Sequence, residues 1–472
     1  MTLISLLLPA LIAAFCFPAY LLSPKLNKWL TRRVLIRRYG CKDPPQPNLN
    51  LDEINRESAQ NQSFLDTATR LFNEHGKTHK AKRAGRVFIR TNDPEVSKAV
   101  LATHFDKFGL QPLRYEGGNS FFGNGMLVTD GPQWKISRAL IRPTFDVAHI
   151  ANLDRLGRHV DRFMALLPRD GLTIDLFPLL KRLTLDSSSE FIFGRSTDAL
   201  SSPDTGKDFM NAFQAAQRDV IIPVPQRSKE HYKGCQDVYD YIDARIEEAF
   251  SRILEKGDDP PGTKNQVRII DELAKSAQDK LTLRYLVLSI FMPAHDNVAV
   301  ALTNAFFHLS RNPDCWARLR AEILSTSSQP LTYELLGSFK YLNWVLREAH
   351  RLTPLHSGTV RVCLETTVLP SGGGPKGRSP LLRDKSFWGE DADEFRPERW
   401  GTIKPTWEYI PFSGGPRICP AIKLVYTESE YIMATIVRRF SRLENRDEVL
   451  EWVEERRLTF QSRNGAKVGL IL

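Results

Sequence analysis

Cysteine is scarce in this 472-residue chain: the six residues lie far apart, and no two have Cys-x-x-Cys spacing. A disulfide scaffold needs closely spaced pairs of cysteines, and a structural zinc site needs four ligands. The sequence therefore favours reduced thiols, as in the cytosol, over a disulfide scaffold. It gives no support to a zinc site.

An arginine-rich block is missing as well, although the formal net charge is +10. Nucleic-acid-binding tails usually concentrate their positive charge in such a block. We therefore predict no nucleic-acid partner, and a basic patch for an acidic redox partner explains the charge better. A chain of this length can bury a large core.

One long apolar and uncharged run is present, from Leu3 to Leu22. About 20 apolar residues suffice to cross a bilayer as a helix. Basic residues follow the run, which by the positive-inside rule puts the rest of the chain in the cytoplasm. A cleaved signal peptide is the alternative, but its charge would precede the apolar run. We predict a membrane anchor helix over residues 1–24, a basic, proline-rich linker over 25–50 and one large domain over 51–472.

The segment around Cys419 changes from a glycine-rich loop into an amphipathic helix. From Pro420 to Phe440 apolar residues recur at steps of three and four, which predicts a helix beginning at Pro420. Cys419 would lie at its N-terminus, where free N–H groups and the helix dipole lower the pKa of a thiol. Taken alone, such a cysteine could be a nucleophile, a zinc ligand, a haem ligand or a buried side chain.

The residues of the loop carry a specific resemblance: Phe412, Gly415, Arg417, Cys419 and Ala421 spell F-x-x-G-x-R-x-C-x-A. This closely resembles the haem loop of the cytochrome P-450 superfamily, in which glycine takes the last position. The resemblance implies a haem b cofactor with the Cys419 thiolate as its axial ligand. It also implies that Arg417 binds a propionate and Phe412 shields the sulfur. Gly415 would let the backbone turn close to the porphyrin, and the small Ala421 would let the helix approach it.

A second resemblance lies in the stretch from Gly123 to Phe145. Asp130 or Thr129 can cap a helix beginning near Pro132, on which Trp134 and Arg138 share a face. This pair resembles the family's pair that reaches the haem propionates. The stretch is most similar to fungal alkane and fatty-acid hydroxylases of the superfamily.

A long apolar helix is predicted from Leu281 to Leu309, with the polar residues Asp296 and Asn297 in its middle. In isolation they could cap a kink at Pro293. The segment resembles the family's oxygen-activating A-G-x-D-T-T, with Asp296 on the acid and Asn297 on the first threonine. The resemblance implies proton delivery to oxygen. An asparagine can hold a water molecule there but has no hydroxyl.

Glu348 and Arg351 are three apart on a predicted helix, which alone is a common surface pair. The family resemblance implies that Arg399 joins them in a buried Glu-Arg-Arg network. Further along, His356 lies in a segment that resembles the one passing the haem edge and touching substrate. Together these motifs imply the cytochrome P-450 fold, which is mainly α with a small β-sheet region.

One departure from the family follows Pro380, where a strand of the small sheet is expected but Leu381 follows directly. The change could be a shortening of the fold, a wrongly joined exon or a sign of decay. It leaves open whether the protein is active.

The resulting hypothesis is a monooxygenase in the endoplasmic reticulum membrane with a cytosolic catalytic domain. It would take electrons from an NADPH-dependent reductase and insert one atom of O2 into an apolar small molecule, a long-chain compound or a specialised metabolite. Two alternatives keep the haem: a catalytically impaired protein, or an isomerase or dehydratase that needs no O2. A thiol hydrolase using Cys419 would need an adjacent base that the sequence does not show.

Overall fold

The computed structural model describes residues 26–111, 113–202, 204–220, 224–255, 268–277, 279–371 and 385–472. The predicted anchor helix over residues 1–24 and the strand expected after Pro380 lie outside these residues. Within the predicted linker, residues 26–39 form a helix, α1, that the sequence analysis did not predict. Most of its apolar residues are exposed, and the guanidinium carbon of Arg33 lies 3.9 Å from the centre of the Trp29 ring.

The described chain is mainly helical, as the predicted fold class requires. After α1, the N-terminal part of the chain forms six helices of 4 to 12 residues: α2 (Leu51–Asn61), α3 (Phe64–His75), α4 (Pro94–Lys98), α5 (Leu113–Phe122), α6 (Gly131–Ile141) and α7 (Val147–Ile150). The middle of the chain forms α8 (Asp154–Leu166), α9 (Leu176–Phe193), α10 (Lys207–Arg218), α11 (Lys229–Glu255), α12 (Ile269–Ser276) and α13 (Lys280–Arg311). The C-terminal part forms α14 (Pro313–Leu324), α15 (Tyr333–Ser338), α16 (Lys340–Leu352), α17 (Lys385–Trp388) and α18 (Ile422–Arg439).

Helix α13 is the centre of the fold and confirms the predicted long apolar helix. Asp279 caps its N-terminus by accepting a hydrogen bond from the Thr282 N–H, and the helix runs unbroken through Pro293. Within the described residues it alone has the length and apolar composition to cross a membrane, but most of it is buried inside the protein.

Two apolar cores meet along α13. One surrounds its N-terminal half from Leu283 to Phe291 and includes residues of α5, α6 and α9–α12. The other surrounds its C-terminal half from Val298 to Leu309 and includes residues of α8, α14, α16 and α18. The polar residues Asp296 and Asn297 lie along α13 between the stretches that belong to the two cores.

The strands form four small sheets in the described part of the chain. Strands β1 (Thr78–Arg83) and β2 (Arg86–Thr91) form an antiparallel hairpin. A second pair joins β3 (Phe108–Gly109) to β5 (Val362–Cys363). The others are β4 (Asp170–Asp175), β9 (Lys467–Ile471) and β6 (Arg442–Asn445) in that order, and β7 (Glu454–Arg456) with β8 (Phe460–Ser462). The β3–β5 pair places the segment before α5 beside the segment after α16.

Candidate active site

The loop around Cys419 is closed by its own backbone. The Cys419 N–H donates to the Phe412 carbonyl at 3.0 Å, and the Ile418 N–H donates to the Gly415 carbonyl at 3.0 Å. Gly415 has a φ of +64°, and a Cβ atom there would lie 1.9 Å from the Leu101 carbonyl oxygen. Both the turn and the close approach of Leu101 therefore require glycine at this position.

The helix after the loop begins later than predicted. Helix α18 starts at Ile422 with Ala421 in the N-cap position, rather than at Pro420. Burial raises the pKa of the Cys419 thiol, and the Ala421 N–H and the charge of Arg138 only partly oppose this effect. The expected lowering of this pKa is therefore wrong for the thiol in these surroundings, because desolvation outweighs the helix terminus.

The structure brings Trp134, Arg138 and Arg417 together beside this loop. Trp134 is buried, and the guanidinium carbon of Arg417 lies 4.4 Å from the centre of its ring. One turn further along α6, Arg138 Nη2 donates to the Ile418 carbonyl at 2.7 Å. Arg138 thus contacts the cysteine loop from α6, and Arg417, which belongs to the loop, packs against Trp134 of α6.

Asp130 occupies the N-cap position of α6, but its side chain does not cap that helix. Its carboxylate accepts hydrogen bonds from the N–H groups of Leu110 and Gln111 at 2.7 and 2.8 Å and from Arg417 at 2.6 Å. The predicted capping role is therefore wrong, since the carboxylate joins the segment before α5 to the cysteine loop.

Two further arginines, Arg114 and Arg361, belong to the same cluster and were missed by the sequence analysis. Burial lowers the pKa of Arg361 to about 10, with a further contribution from the charges of Arg114 and Arg417. Burial likewise lowers the pKa of Arg417 to about 10, and Asp130 opposes this while Arg114 and Arg138 add to it. We call the set Arg114, Arg138, Arg361, Arg417 and Asp130 the cationic rim.

The cationic rim and the loop fit a haem. Protoporphyrin carries two propionates, which guanidinium groups bind through charge-assisted hydrogen bonds. Apolar side chains next to the rim remain accessible: Ile418 is 39% exposed and Val360 is 42% exposed. No cluster of three or more His, Cys, Asp or Glu side chains suited to a metal occurs in the described residues, so a zinc ligand set around Cys419 has no support there. The ring of Phe412 packs against His350 and Tyr426, with centroids 5.7 and 5.6 Å away.

The two polar residues in the middle of α13 have different surroundings. Asp296 is buried and accepts a hydrogen bond from Lys181 of α9, with Nζ and Oδ1 2.5 Å apart. Burial would raise the pKa of Asp296, but the charges of Lys181 and His295 lower it below the ordinary value. Asn297 is half-buried, and its side chain makes no hydrogen bond to any described residue. Lys181 was missed by the sequence analysis, although a lysine within the apolar run of α9 was visible.

Glu348, Arg351 and Arg399 form one buried network with fully buried side chains. The Glu348 carboxylate accepts two hydrogen bonds from Arg351 at 3.0 and 2.9 Å and one from Arg399 at 2.8 Å. The same carboxylate accepts hydrogen bonds from the indole N–H of Trp400 and the backbone N–H of Arg396, each at 3.0 Å. The remaining guanidinium N–H groups bind backbone carbonyls of residues 388–394. The network therefore ties α16 to the segment that leads toward the cysteine loop.

A mainly helical fold that holds a cysteine loop against a cationic rim, with a long helix across its centre, has the architecture of haem-thiolate proteins. The chain belongs to the cytochrome P450 family: the sequence pattern described as Cytochrome P450 matches residues 44–465.

Several fungal relatives align over nearly the whole chain. Cytochrome P450 monooxygenase iccC of Talaromyces variabilis is 33% identical, over 91% of this chain and 92% of the relative. Cytochrome P450 monooxygenase fumoA of Cordyceps fumosorosea is 32% identical, over 94% of each chain. Cytochrome P450 monooxygenase iliC of Hypocrea jecorina is 35% identical, over 81% of this chain and 92% of the relative. The chain is thus a cytochrome P450 monooxygenase, and the family implies a haem-thiolate cofactor, O2 and a reductase.

Proposed function

We propose that this monooxygenase hydroxylates an apolar organic molecule, with haem b bound through the Cys419 thiolate. The observation that carries this proposal is the Cys419 loop: its backbone is closed onto Phe412, and four arginines lie around it. A haem held there through the Cys419 thiolate would supply the activation of O2.

The chain's own residues then have separate tasks. Arg138, Arg361 and Arg417 would hold the propionates, and Gly415 and Ala421 would allow the backbone and the helix to approach the porphyrin closely. Phe412, packed on His350 and Tyr426, covers the sulfur side. Asn297 would hold a water molecule for proton delivery, and Asp296, whose carboxylate accepts a hydrogen bond from Lys181, would act as the relay behind it.

Electrons come from an NADPH-dependent reductase, which meets a basic surface of the catalytic domain. A single-pass anchor over residues 1–24 holds the protein in the endoplasmic reticulum membrane with this domain in the cytosol. The uncharged run from Leu3 to Leu22 and the basic residues after it support this placement. The substrate is a long-chain compound or a specialised metabolite.

The test is the absorption spectrum of the reduced, carbon-monoxide-bound protein. Wild type should show the long-wavelength Soret band of a thiolate ligand, and Cys419→Ala should lose it, because no other loop residue donates a soft anion. Cys363→Ala is the matched control, since Cys363 is also unpaired but exposed. A long-wavelength Soret band that survives in Cys419→Ala would show that Cys419 is not the haem ligand. A wild type with the band but no product from NADPH and reductase would point to an oxygen-independent or impaired protein.

A further inference from the structure

His350 is a buried polar residue of α16 beside the cysteine loop, and the sequence analysis gave it no role. It is 5% exposed and stands between Glu348 and Arg351 of the buried network. Its Nδ1 atom is buried and makes no hydrogen bond to any described residue. Burial also lowers the pKa of His350 to about 4, so the imidazole is uncharged at neutral pH.

Stability alone does not explain a histidine at this position. A buried nitrogen without a hydrogen bond destabilises the folded state, whereas a phenyl ring would fill a similar space without that cost. The buried His308 of α13 shows the ordinary arrangement, because its Nε2 atom lies 3.2 Å from Thr353 Oγ1. The reason for an imidazole at position 350 therefore lies in what its ring contacts.

The His350 ring meets two aromatic rings of the candidate haem site nearly at right angles. Its centroid lies 5.7 Å from that of Phe412, with 77° between the planes, and 6.2 Å from that of Tyr426, with 90° between them. Phe412 and Tyr426 are themselves 5.6 Å apart. We call these three side chains the ring cluster. Edge-to-face packing of this kind favours defined ring orientations, so each ring restrains the other two.

The ring cluster bears directly on the closure of the cysteine loop. The Phe412 carbonyl accepts the hydrogen bond from the Cys419 N–H at 3.0 Å. Displacing Phe412 would therefore displace the acceptor of this bond and, with it, the loop that carries the sulfur. His350 restrains Phe412 from α16, and Tyr426 restrains it from α18. Helix α16 is in turn fixed by the bond between Glu348 and Arg399 at 2.8 Å.

We propose that His350 is a positioning residue for the haem thiolate. Its ring holds Phe412 where the Cys419 loop closes, and its nitrogens keep the surroundings of the thiolate polar, which raises the reduction potential of a bound haem. The polarity and hydrogen bonding around an axial ligand set such potentials. Less polar surroundings would stabilise the negative charge added on reduction less well. This inference rests on the proposed function and adds a residue to its cofactor site.

The experiment uses haem-loaded, full-length protein with three readouts. These are the carbon-monoxide spectrum, the reduction potential from a titration with dithionite and mediators, and the melting temperature. His350→Phe keeps a ring but removes both nitrogens. It should keep the long-wavelength Soret band and melt no lower than wild type. Its equilibrium constant for reduction should fall about 3-fold or more, which is roughly 30 mV for one electron.

His350→Leu removes the ring as well as the nitrogens. The share of haem that shows the long-wavelength band should then fall about 2-fold or more, the effect of losing an edge-to-face pair. Should His350→Phe not fold, His350→Leu decides alone. A diminished band supports the proposal, and an undiminished one overturns it.

His308→Phe is the matched control at another buried histidine, whose ring stacks on Phe395 with centroids 4.9 Å apart. It should lower the melting temperature, since the hydrogen bond between His308 and Thr353 is lost, and leave the reduction potential unchanged. A wild-type potential in folded His350→Phe overturns the proposal, whatever its melting temperature. Failure of the proposed function itself would appear separately, as a missing thiolate band in the carbon-monoxide spectrum of wild type.

Discussion

Lys181 Nζ lies 2.5 Å from Asp296 Oδ1, and both side chains are buried between α9 and α13. The acid that the sequence analysis assigned to proton delivery is therefore held as an anion by a lysine from another helix. Lys181 is a positioning residue in this arrangement, because it acts on oxygen chemistry only through Asp296. Proton supply past Asp296 then depends on how readily this ion pair opens.

Removing the lysine should disturb both stability and coupling. Lys181→Met leaves a buried carboxylate without its partner, which costs about 3–5 kcal/mol. Asp296 should then take up a proton at neutral pH, and more of the NADPH consumed should appear as hydrogen peroxide. The double variant Lys181→Met/Asp296→Asn should recover stability but not coupling. Lys207→Met is the control at an exposed pair with Asp204. Unchanged coupling in Lys181→Met would show that the pair is purely structural.

Asn297 should control coupling, that is, the amount of product formed per NADPH consumed. Asn297→Ala removes the amide that holds a water molecule, while haem and substrate binding should stay intact. Losing one hydrogen bond of about 1.4 kcal/mol predicts up to about a 10-fold fall in product per NADPH, with a matching rise in peroxide. Asn297→Thr should couple as well as wild type or better. If the alanine variant couples normally, Asn297 lies outside the proton path.

The Glu348 network should be needed for folding rather than for chemistry. Glu348→Ala leaves two buried guanidinium groups without their carboxylate and should lower the free energy of unfolding by about 3–5 kcal/mol. Glu74→Ala breaks an exposed pair with Arg70 and should cost less than about 1 kcal/mol. Thermal unfolding of both variants checks this. Equal melting temperatures would contradict the buried network.

Glu430 should make stability depend on pH. Burial raises its pKa from 4.5 to about 7, although the Asn343 amide opposes this by donating a hydrogen bond at 3.3 Å. Between pH 4.5 and 7 the folded state keeps a proton on Glu430 that the unfolded state has released. The contribution of Glu430 to the free energy of unfolding therefore falls as the pH rises through this range and is constant above it. Glu430→Gln should gain about 3 kcal/mol over wild type at pH 8 and almost nothing at pH 4.5. A constant difference in melting temperature across this range would refute the assignment.

Gly415 should tolerate no side chain. Alanine there needs a positive φ and places its Cβ against the Leu101 carbonyl, so Gly415→Ala should reduce the amount of bound haem. Gly337→Ala in α15 is the matched control, because no atom lies within 4 Å of its added Cβ. That change should be neutral or stabilise α15 by up to about 1 kcal/mol. Haem content per protein, read from absorbance, separates the two.

The sequence predicted what depends on local pattern and left out what depends on contacts between distant segments. The bounds of α13 followed closely from its apolar run. The three members of the Glu348 network were named from the resemblance, although their partners at residues 388–394 were not. The roles of Lys181, Arg114 and Arg361 could not be predicted, although the buried Lys181 stood out in the apolar run of α9, because these roles arise only when α9, α5 and the segment before β5 pack around the site. The predicted lowering of the Cys419 pKa was wrong for the same reason, since the burial of this thiol depends on the whole fold.

The contact between Gly415 and Leu101 also sets an order of assembly. The loop that carries Cys419 follows Leu101 by more than 300 residues, so the backbone it must fit against is synthesised well before it. The segment around Leu101 is therefore present before the cysteine loop is made, and the haem site cannot be complete until both have been synthesised. A fragment without the Leu101 region would keep the whole cysteine motif and still lack the surface that shapes it.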